Sequence, residues 1–353
     1  MSKRKRVTSQ DIADLCGVSR TTVSLVLNDV PNVRISEETR RRVLEAARRL
    51  NYHPDAVARK LVSGRSHTIA VVLRQHPHQV SEDAFLPEVL RGVGAVAQRH
   101  HYHILYQPLD PTDPTTYGDL VRENHADGII LSGPRADDKE LVKAHQDGVP
   151  IVLLGQIPGI DIPFVDVDNV KAAKMAVDHL LALGHRRMAM ITNASLNYTA
   201  SRARLMGYQQ ALEAAGLPYD EELVRHGDFT AASGAKAMAE LLQLSPLPTA
   251  IFVASDVVAC GALQEIKRHG LRVPEDIALV SFDDIPLARY LDPPLTTVRL
   301  PAHEEGRQAA GMLIALIEGK KLHEPCVLME TELIVRESCG SSAMRRNEKR
   351  LRT

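Results

Sequence analysis

From residue 67 onward the chain alternates short apolar runs with helical stretches, and this constrains the fold more than any other feature of the sequence. TIAVVL (68–73), HILYQ (103–107), GIILSG (128–133), PIVLLG (150–155), MAMIT (188–192), AIFVAS (250–255) and ALVSF (278–282) are continuous apolar runs. Runs of this kind suit strands buried on both faces. Helical candidates at 86–101, 169–183, 202–215, 232–244 and 258–269 lie between them. The alternation predicts parallel sheets covered by helices, with enough strands for two doubly wound lobes. Ligands in such folds sit at the carboxyl ends of strands, so two lobes imply a cleft between facing strand ends. No apolar run approaches the 18 or more residues that would span a bilayer.

The first 66 residues are different in kind. They carry 14 Lys and Arg against 7 Asp and Glu, and residues 339–353 carry 5 against 1, although the 353-residue chain sums to −1. A small basic module, a large acidic body and a short basic tail result, and a basic module points to an anionic partner, nucleic acid or a membrane surface. The four cysteines, Cys16, Cys260, Cys326 and Cys339, form no CxxC pair, so neither a disulfide framework nor a zinc ribbon is indicated. The basic N-terminus is followed by no apolar segment of the secretory type, which leads to a cytosolic expectation.

Within residues 8–50, Thr8 with Asp11, Ser19 with Thr22, and Ser36 with Thr39 each place a capping oxygen before an apolar-periodic segment. Three short helices follow. Ile12, Ala13, Leu15, Val23, Val26, Leu27, Val43, Leu44, Ala47 and Leu50 are expected to share one small core, with Gly17 in the turn between the first two helices. Helix, tight turn, helix is the geometry that presents a second helix to a DNA major groove. Arg20 and Thr21 would project from that helix's first turn toward base edges, Arg20 pairing with guanine and Thr21 meeting a base or a thymine methyl. Thr8, Ser19, Thr22, Ser24 and Asn28 are short hydrogen-bonding residues suited to phosphate oxygens. After Asn51-Tyr52, Pro54 and Gly64 bracket a helix too short to be stable alone.

The runs VTSQDIADLCGVSRTTVSLVLN and VRISEETRRRVLEAARRLNYHPDAVARKLVSGRS resemble the headpiece and hinge of the lactose/galactose repressor (LacI/GalR) family of bacterial transcription regulators. The resemblance implies a DNA-binding homodimer. In it the segment after Asn-Tyr-x-Pro forms a hinge helix on a palindromic operator and drives a leucine into the minor groove. By position that leucine is Leu61, flanked by Ala58 and Lys60, and an apolar wedge between base steps is a recognised minor-groove device. Leu25 stands where many members carry Arg after Thr-Val-Ser, so one polar contact should be missing and the operator should differ.

The resemblance continues from about 68 to 338, where MAMITNASLNYTASRARLMGYQQAL, AIFVASDVVACGAL and VPEDIALVSFDDIPLARYLDPPLTTV look like the effector core shared with periplasmic sugar-binding proteins. It implies an all-α helix-turn-helix headpiece (1–53), a hinge and linker (54–66) and a two-lobed α/β effector and dimerisation body (67–338); residues 339–353 show no sustained apolar heptad and are expected to form a basic, disordered tail. The chain is expected to cross between lobes near 166–168, 295–298 and 326–328. The N-lobe would hold 67–166 and 298–326, and the C-lobe 168–295 and 328–338. Arg204 matches the family arginine that donates to ligand oxygens, and Asp283 the carboxylate that accepts from ligand hydroxyls. Phe85 matches an aromatic that walls the pocket. Ser255 stands where many members have Asn, and Gly155 where a sugar-binding member has an acidic residue. Gln75, Ser132 and Gln156 follow strand ends. A guanidinium and a carboxylate suit a polyhydroxy effector, a sugar or a related metabolite.

Other signals are weaker. His100, His101 and His103, and the His76-Pro77-His78 run, lack the further ligands of a metal site. Gly92-Val93-Gly94 lacks the third glycine of a dinucleotide fingerprint, and no P-loop or nucleophile turn occurs. Asp283-Asp284 could suggest a glycosidase pair, but adjacent residues on an extended run point to opposite faces. No cofactor, metal or catalytic constellation is expected. The alternative reading is a solute-binding transport component, which the basic module argues against.

Overall fold

The computed structural model describes residues 7–27, 33–52, 65–110 and 116–341. The chain divides into two compact units, Met1–His67 and Thr68–Thr353.

The small unit contains α1 (Ser9–Cys16), α2 (Arg20–Leu27) and α3 (Glu37–Arg49). Each begins where a side-chain oxygen replaces the missing intrahelical acceptor. Thr8 and Asp11 cap α1 reciprocally, Ser19 Oγ accepts from the Thr22 N–H at 3.0 Å, and Ser36 Oγ from the Thr39 N–H at 3.2 Å. Gly17 closes α1 at φ +62°, a left-handed conformation that costs a side-chain-bearing residue energy. Ile12, Ala13, Cys16, Val23, Val26, Val43, Ala46 and Ala47 form the core. Leu15 and Leu44, expected there, are 48% and 36% exposed. They lie next to the buried stripe of their helices, and Cys16 and Ala46 occupy the inward positions.

In the body, one six-stranded sheet has the order β11-β5-β4-β3-β1-β2 and the other β12-β10-β9-β8-β6-β7. The first comprises β1 (Thr68–Leu73), β2 (His103–Pro108), β3 (Gly128–Ser132), β4 (Ile151–Leu154), β5 (Phe164–Val167) and β11 (Cys326–Met329). The second comprises β6 (Met188–Thr192), β7 (Val224–His226), β8 (Ala250–Val253), β9 (Ala278–Asp283), β10 (Thr296–Arg299) and β12 (Glu332–Ile334). All pairings are parallel except β10 with β12. All seven apolar runs became strands, and β1, β3, β4, β6, β8 and β9 are buried along nearly their whole length.

Sheet membership corrects the expected crossings. The first falls after Val167, but β10 still belongs to the second sheet, so the second follows Arg299 rather than 295–298. β11 is entirely in the first sheet, which moves the third from 326–328 to beyond Met329. Thr296 and Thr297 look like linker residues in sequence, yet both are fully buried and their hydroxyls bond inside the lobe. The body also continues past 338. Cys339 is 1% exposed, with Sγ 3.2 Å from Thr296 Oγ1 and 3.3 Å from His179 Nε2, and Ser341 is buried beside it. The expected tail therefore begins later, and its residues 342–353 lie outside the described ones.

Helices α4 (Pro77–Glu82), α5 (Leu86–Arg99), α6 (Tyr117–Arg122) and α7 (Lys139–Gln146) follow β1, β1, β2 and β3 respectively. The C-terminal half of the body adds α8 (Asn169–Ala182), α9 (Thr199–Ala214), α10 (Ala231–Leu241), α11 (Asp256–Arg268) and α12 (Ala302–Ile317). Several helix pairs approach so closely that only hydrogen fits at the crossing. A Cβ on Gly261 of α11 would stand 1.7 Å from the Ala231 carbonyl oxygen, and one on Gly92 of α5 would stand 2.0 Å from that of His303 in α12. The second contact locks α12 against α5 and fixes what α12 presents to the cleft.

Candidate functional site

The cleft is built at the carboxyl ends of the strands of both lobes. Gln75 follows β1, Ser132 ends β3, Gly155 follows β4, Asn193 follows β6, Ser255 follows β8 and Asp283 ends β9, and all line it. Parallel strands make this placement general, because every strand's carboxyl end emerges on the same edge of its sheet. The expected Phe85, Ser132, Arg204, Ser255 and Asp283 are all brought together here. Gln156 stands just behind, donating to Asp166 at 3.1 Å.

Arg204 projects from α9 and is 6% exposed. Its Nε donates to Asn169 Oδ1 at 2.9 Å, its Nη1 donates to the Ala254 carbonyl at 2.7 Å, and its face lies 3.8 Å from the Phe282 ring centroid. Asp283 Oδ1 is 3.7 Å from Nη1. Burial pushes the Asp283 carboxyl up, Arg204 and the Ser255 hydroxyl oppose that rise, and neighbouring Asp256 and Asp83 reinforce it. Asp283 and Asp284 both adopt positive φ, +114° and +56°, a strain that recurs where a scaffold over-determines functional geometry.

The twist separates the two aspartates. Asp283 faces the cleft, whereas Asp284 ion-pairs with Arg299 at 2.7 Å and Arg336 at 2.6 Å. Asp256 is fully buried and accepts from Ser281, Thr297 and the Ile285 N–H. Asp256 and Asp284 are thus held by partners inside the lobe, and of the Asp283-Asp284 pair only Asp283 faces the cleft.

Sequence reasoning missed several cleft residues. Tyr198 and Phe229 meet edge to face, centroids 4.9 Å apart, and with Phe85 supply the aromatic walls that a tryptophan-free chain must find elsewhere. Asp83 accepts from the Phe85 and Leu86 N–H groups at 2.9 and 3.0 Å and starts α5. Asp166 accepts from Val167 N, Asn169 Nδ2 and Gln156 Nε2. Glu305 reaches in from α12, and burial pushes its carboxyl up to about 8, with Asp166 adding to and Arg204 opposing the rise. The rim is clasped across the lobes. Tyr198 Oη donates to the Arg74 carbonyl at 2.9 Å, Gln79 Nε2 to the Asp228 carbonyl at 3.1 Å, and the Ala231 N–H to Glu82 at 3.2 Å.

In the small unit Arg20 and Thr21 are exposed on the first turn of α2, while Thr22 and Ser24 are half-buried. Thr8 and Ser19 spend their hydroxyls as caps. Asn28, Ala58, Lys60 and Leu61 lie outside the described residues. Of the other sequence signals, His76 pairs with Asp110 at 2.9 Å, and His100, His101 and His103 are exposed.

A helix-turn-helix unit followed by a two-sheet body with a polar, aromatic-walled cleft defines the class of ligand-responsive regulators. Residues 8–55 match the description "Bacterial regulatory proteins, lacI family", and 177–339 match "Periplasmic binding protein-like domain". The HTH-type transcriptional regulator CelR of Thermobifida fusca is 36% identical over 342 residues, 96% of this chain and 100% of that protein. The HTH-type transcriptional repressor CytR of Escherichia coli K12 is 36% identical over 334 residues, 94% of this chain and 96% of CytR. Among solved structures, a CelR–cellobiose complex aligns with a TM-score of 0.73 at 34% identity, covering 94% of this chain and all of that one. A lac repressor dimer bound to operator aligns at 0.82 and 26% identity, covering 95% and 99%. The chain belongs to the LacI family of bacterial transcription regulators. Among the described residues no helix is long and apolar enough to cross a membrane.

Proposed function

We propose that this protein is a sequence-specific transcription repressor, working as a cytoplasmic homodimer on a palindromic operator, with operator affinity set by a small polar effector. The observation that carries this reading is one chain holding both an exposed Arg20-Thr21 turn on a capped α2 and a cleft lined by Arg204 and Asp283. Arg20 and Thr21 read base edges, and the hinge residues Ala58, Lys60 and Leu61 engage the minor groove. Thr8, Ser19, Thr22, Ser24 and Asn28 position the backbone. The operator-bound lac repressor dimer and the cellobiose complex of CelR support operator DNA and a sugar-like effector as the two partners.

An effector with different affinity for open and closed lobes shifts the operator-binding state by that difference, typically about 1–3 kcal/mol. The reading is of a regulator rather than an enzyme: Asp256 and Asp284, which could suggest an acid and a base, are engaged by Ser281, Thr297, Arg299 and Arg336. Titrating a palindromic duplex at several salt concentrations tests the reading. Log affinity should fall steeply with log salt, and a slope near zero would exclude phosphate contacts. A transport component has the same cleft but no use for α2.

A further inference from the structure

The cleft is one-sided in charge. Asp83, Asp166, Asp283 and Glu305 line it, and Arg204 is the one cation among its described lining residues. Arg204 is already occupied by Asn169, the Ala254 carbonyl and Asp283. The hydrogen bonds to Asp83 and Asp166 come from neutral N–H donors, and the one cation that acts on Asp166 is the Arg204 already shared with Asp283. Glu305 is 5% exposed, and no hydrogen bond to its carboxyl from any described residue exists. Its neighbour Glu304 turns outward to Arg307, so the two adjacent glutamates do different work. Gln75 is 3% exposed and also lines the cleft, with a buried Oε1 that has no partner.

Buried carboxyls without a counter-charge are costly, and they either keep a proton or wait for a ligand that supplies the charge. Glu305 cannot be relieved by a shift of its helix, because a Cβ on Gly306 would stand 2.3 Å from the Val89 carbonyl oxygen and α12 is seated on α5.

We propose that Glu305 makes this cleft selective for charge: it favours a polyhydroxy effector bearing an ammonium group, takes a neutral one less tightly, and rejects a carboxylated one. The ammonium group supplies the counter-charge missing at Glu305 and its neighbour Asp166. The hydroxyls meet Asp283, Gln75 and Ser255, and the ring faces meet Phe85, Tyr198 and Phe229. On binding, the proton held by Glu305 passes to bulk water. An anion would enter beside four carboxyls whose one cation among the described lining residues is engaged. The proposal rests on the cleft being the effector site.

The test uses the full-length protein and three probes on one β-1,4 disaccharide frame: the glucosamine disaccharide, cellobiose and cellobiouronic acid, titrated calorimetrically at pH 6.5. Affinity should fall by about tenfold at each step, and Glu305→Gln should compress the first step to less than about threefold. Equal or tighter binding of the uronate, an unchanged preference in the variant, or binding of none of the three would overturn the proposal. Should Glu305→Gln fail to fold, the order of the three ligands on the wild-type protein decides by itself. The same preparations are titrated with a palindromic duplex. Salt-dependent DNA binding without the charge order overturns the charge selectivity alone, and loss of DNA binding overturns the regulator reading.

Discussion

The Glu305 carboxyl makes a sharp prediction about stability and pH. Its ordinary value is 4.5, and in the folded protein burial raises it to about 8. The folded state therefore binds this proton more tightly than the unfolded chain does. Below pH 4.5 both states are protonated and the group is neutral to stability. As pH climbs from there, only the unfolded chain releases the proton freely, so stability falls until about pH 8 and then levels off. The ceiling on that loss is about 5 kcal/mol, at 1.36 kcal/mol for each pH unit between the two values. Water entering an open cleft and relaxation of Asp166 and Asp283 reduce it, and about 2–4 kcal/mol is expected. Glu305→Gln keeps the shape and removes the ionisation. At roughly 2 °C per kcal/mol for a domain of this size, the variant should melt within about 1 °C of wild type at pH 5. At pH 8.5 it should melt roughly 4–8 °C higher. Scanning fluorimetry in half-unit steps from pH 5 to 8.5 measures the difference. A pH-independent gap, or a variant that is less stable at high pH, would refute the placement of an unpaired carboxyl in the cleft.

Other perturbations probe the remaining parts. Asp283→Ala should abolish the effector response of operator binding while leaving operator affinity without effector intact, read by fluorescence anisotropy with and without effector; a normal response would show that the carboxylate is not a ligand. Arg20→Ala should relax base preference at one operator position by about 1–3 kcal/mol, whereas Lys60→Ala should weaken all duplexes alike and flatten the salt slope by about one. A panel of single-base operator variants separates these two effects. Thr8→Ala removes one half of a reciprocal cap and should cost about 1 kcal/mol, seen as roughly fivefold faster hydrogen exchange in α1; unchanged exchange would mean that the cap is idle. Gly261→Ala gains about 1 kcal/mol of helix propensity but drives a methyl into the Ala231 carbonyl, so a net loss of about 2 kcal/mol is expected on thermal melting. A stabilised variant would show that α10 and α11 can separate.

Elements with a local signal were legible from the residues alone. The apolar runs became strands because a strand buried on both faces needs an unbroken apolar stretch, and Thr8, Ser19 and Ser36 started their helices because a capping oxygen acts over three residues. The residues near β5 and β10 escaped that reading because Asp166, Thr296 and Thr297 are polar yet inward, Asp166 satisfied by Gln156, Val167 and Asn169 and the two threonines by Ser338 and Asp256 more than forty residues away. The second crossing was displaced for that reason, since β10 carries Thr296 and Thr297.

The cleft was legible only where a motif carried it. Arg204 and Asp283 were placed in the cleft through family spacing, whereas Asp283 and Asp284 face apart at two positive-φ residues where β9 ends rather than by alternation along an extended run. Glu305 carried no signal, since Glu304-Glu305 at the start of a helix reads as ordinary first-turn acid. What distinguishes the two is that α12, returning from the other lobe, seats on α5 and turns one glutamate to Arg307 and the other into a cavity shared with Asp166 and Asp283. Charge along the chain is additive and can be counted from residues. Charge inside a cleft depends on which side chains lose their water together, and that was decided by the packing of segments more than a hundred residues apart.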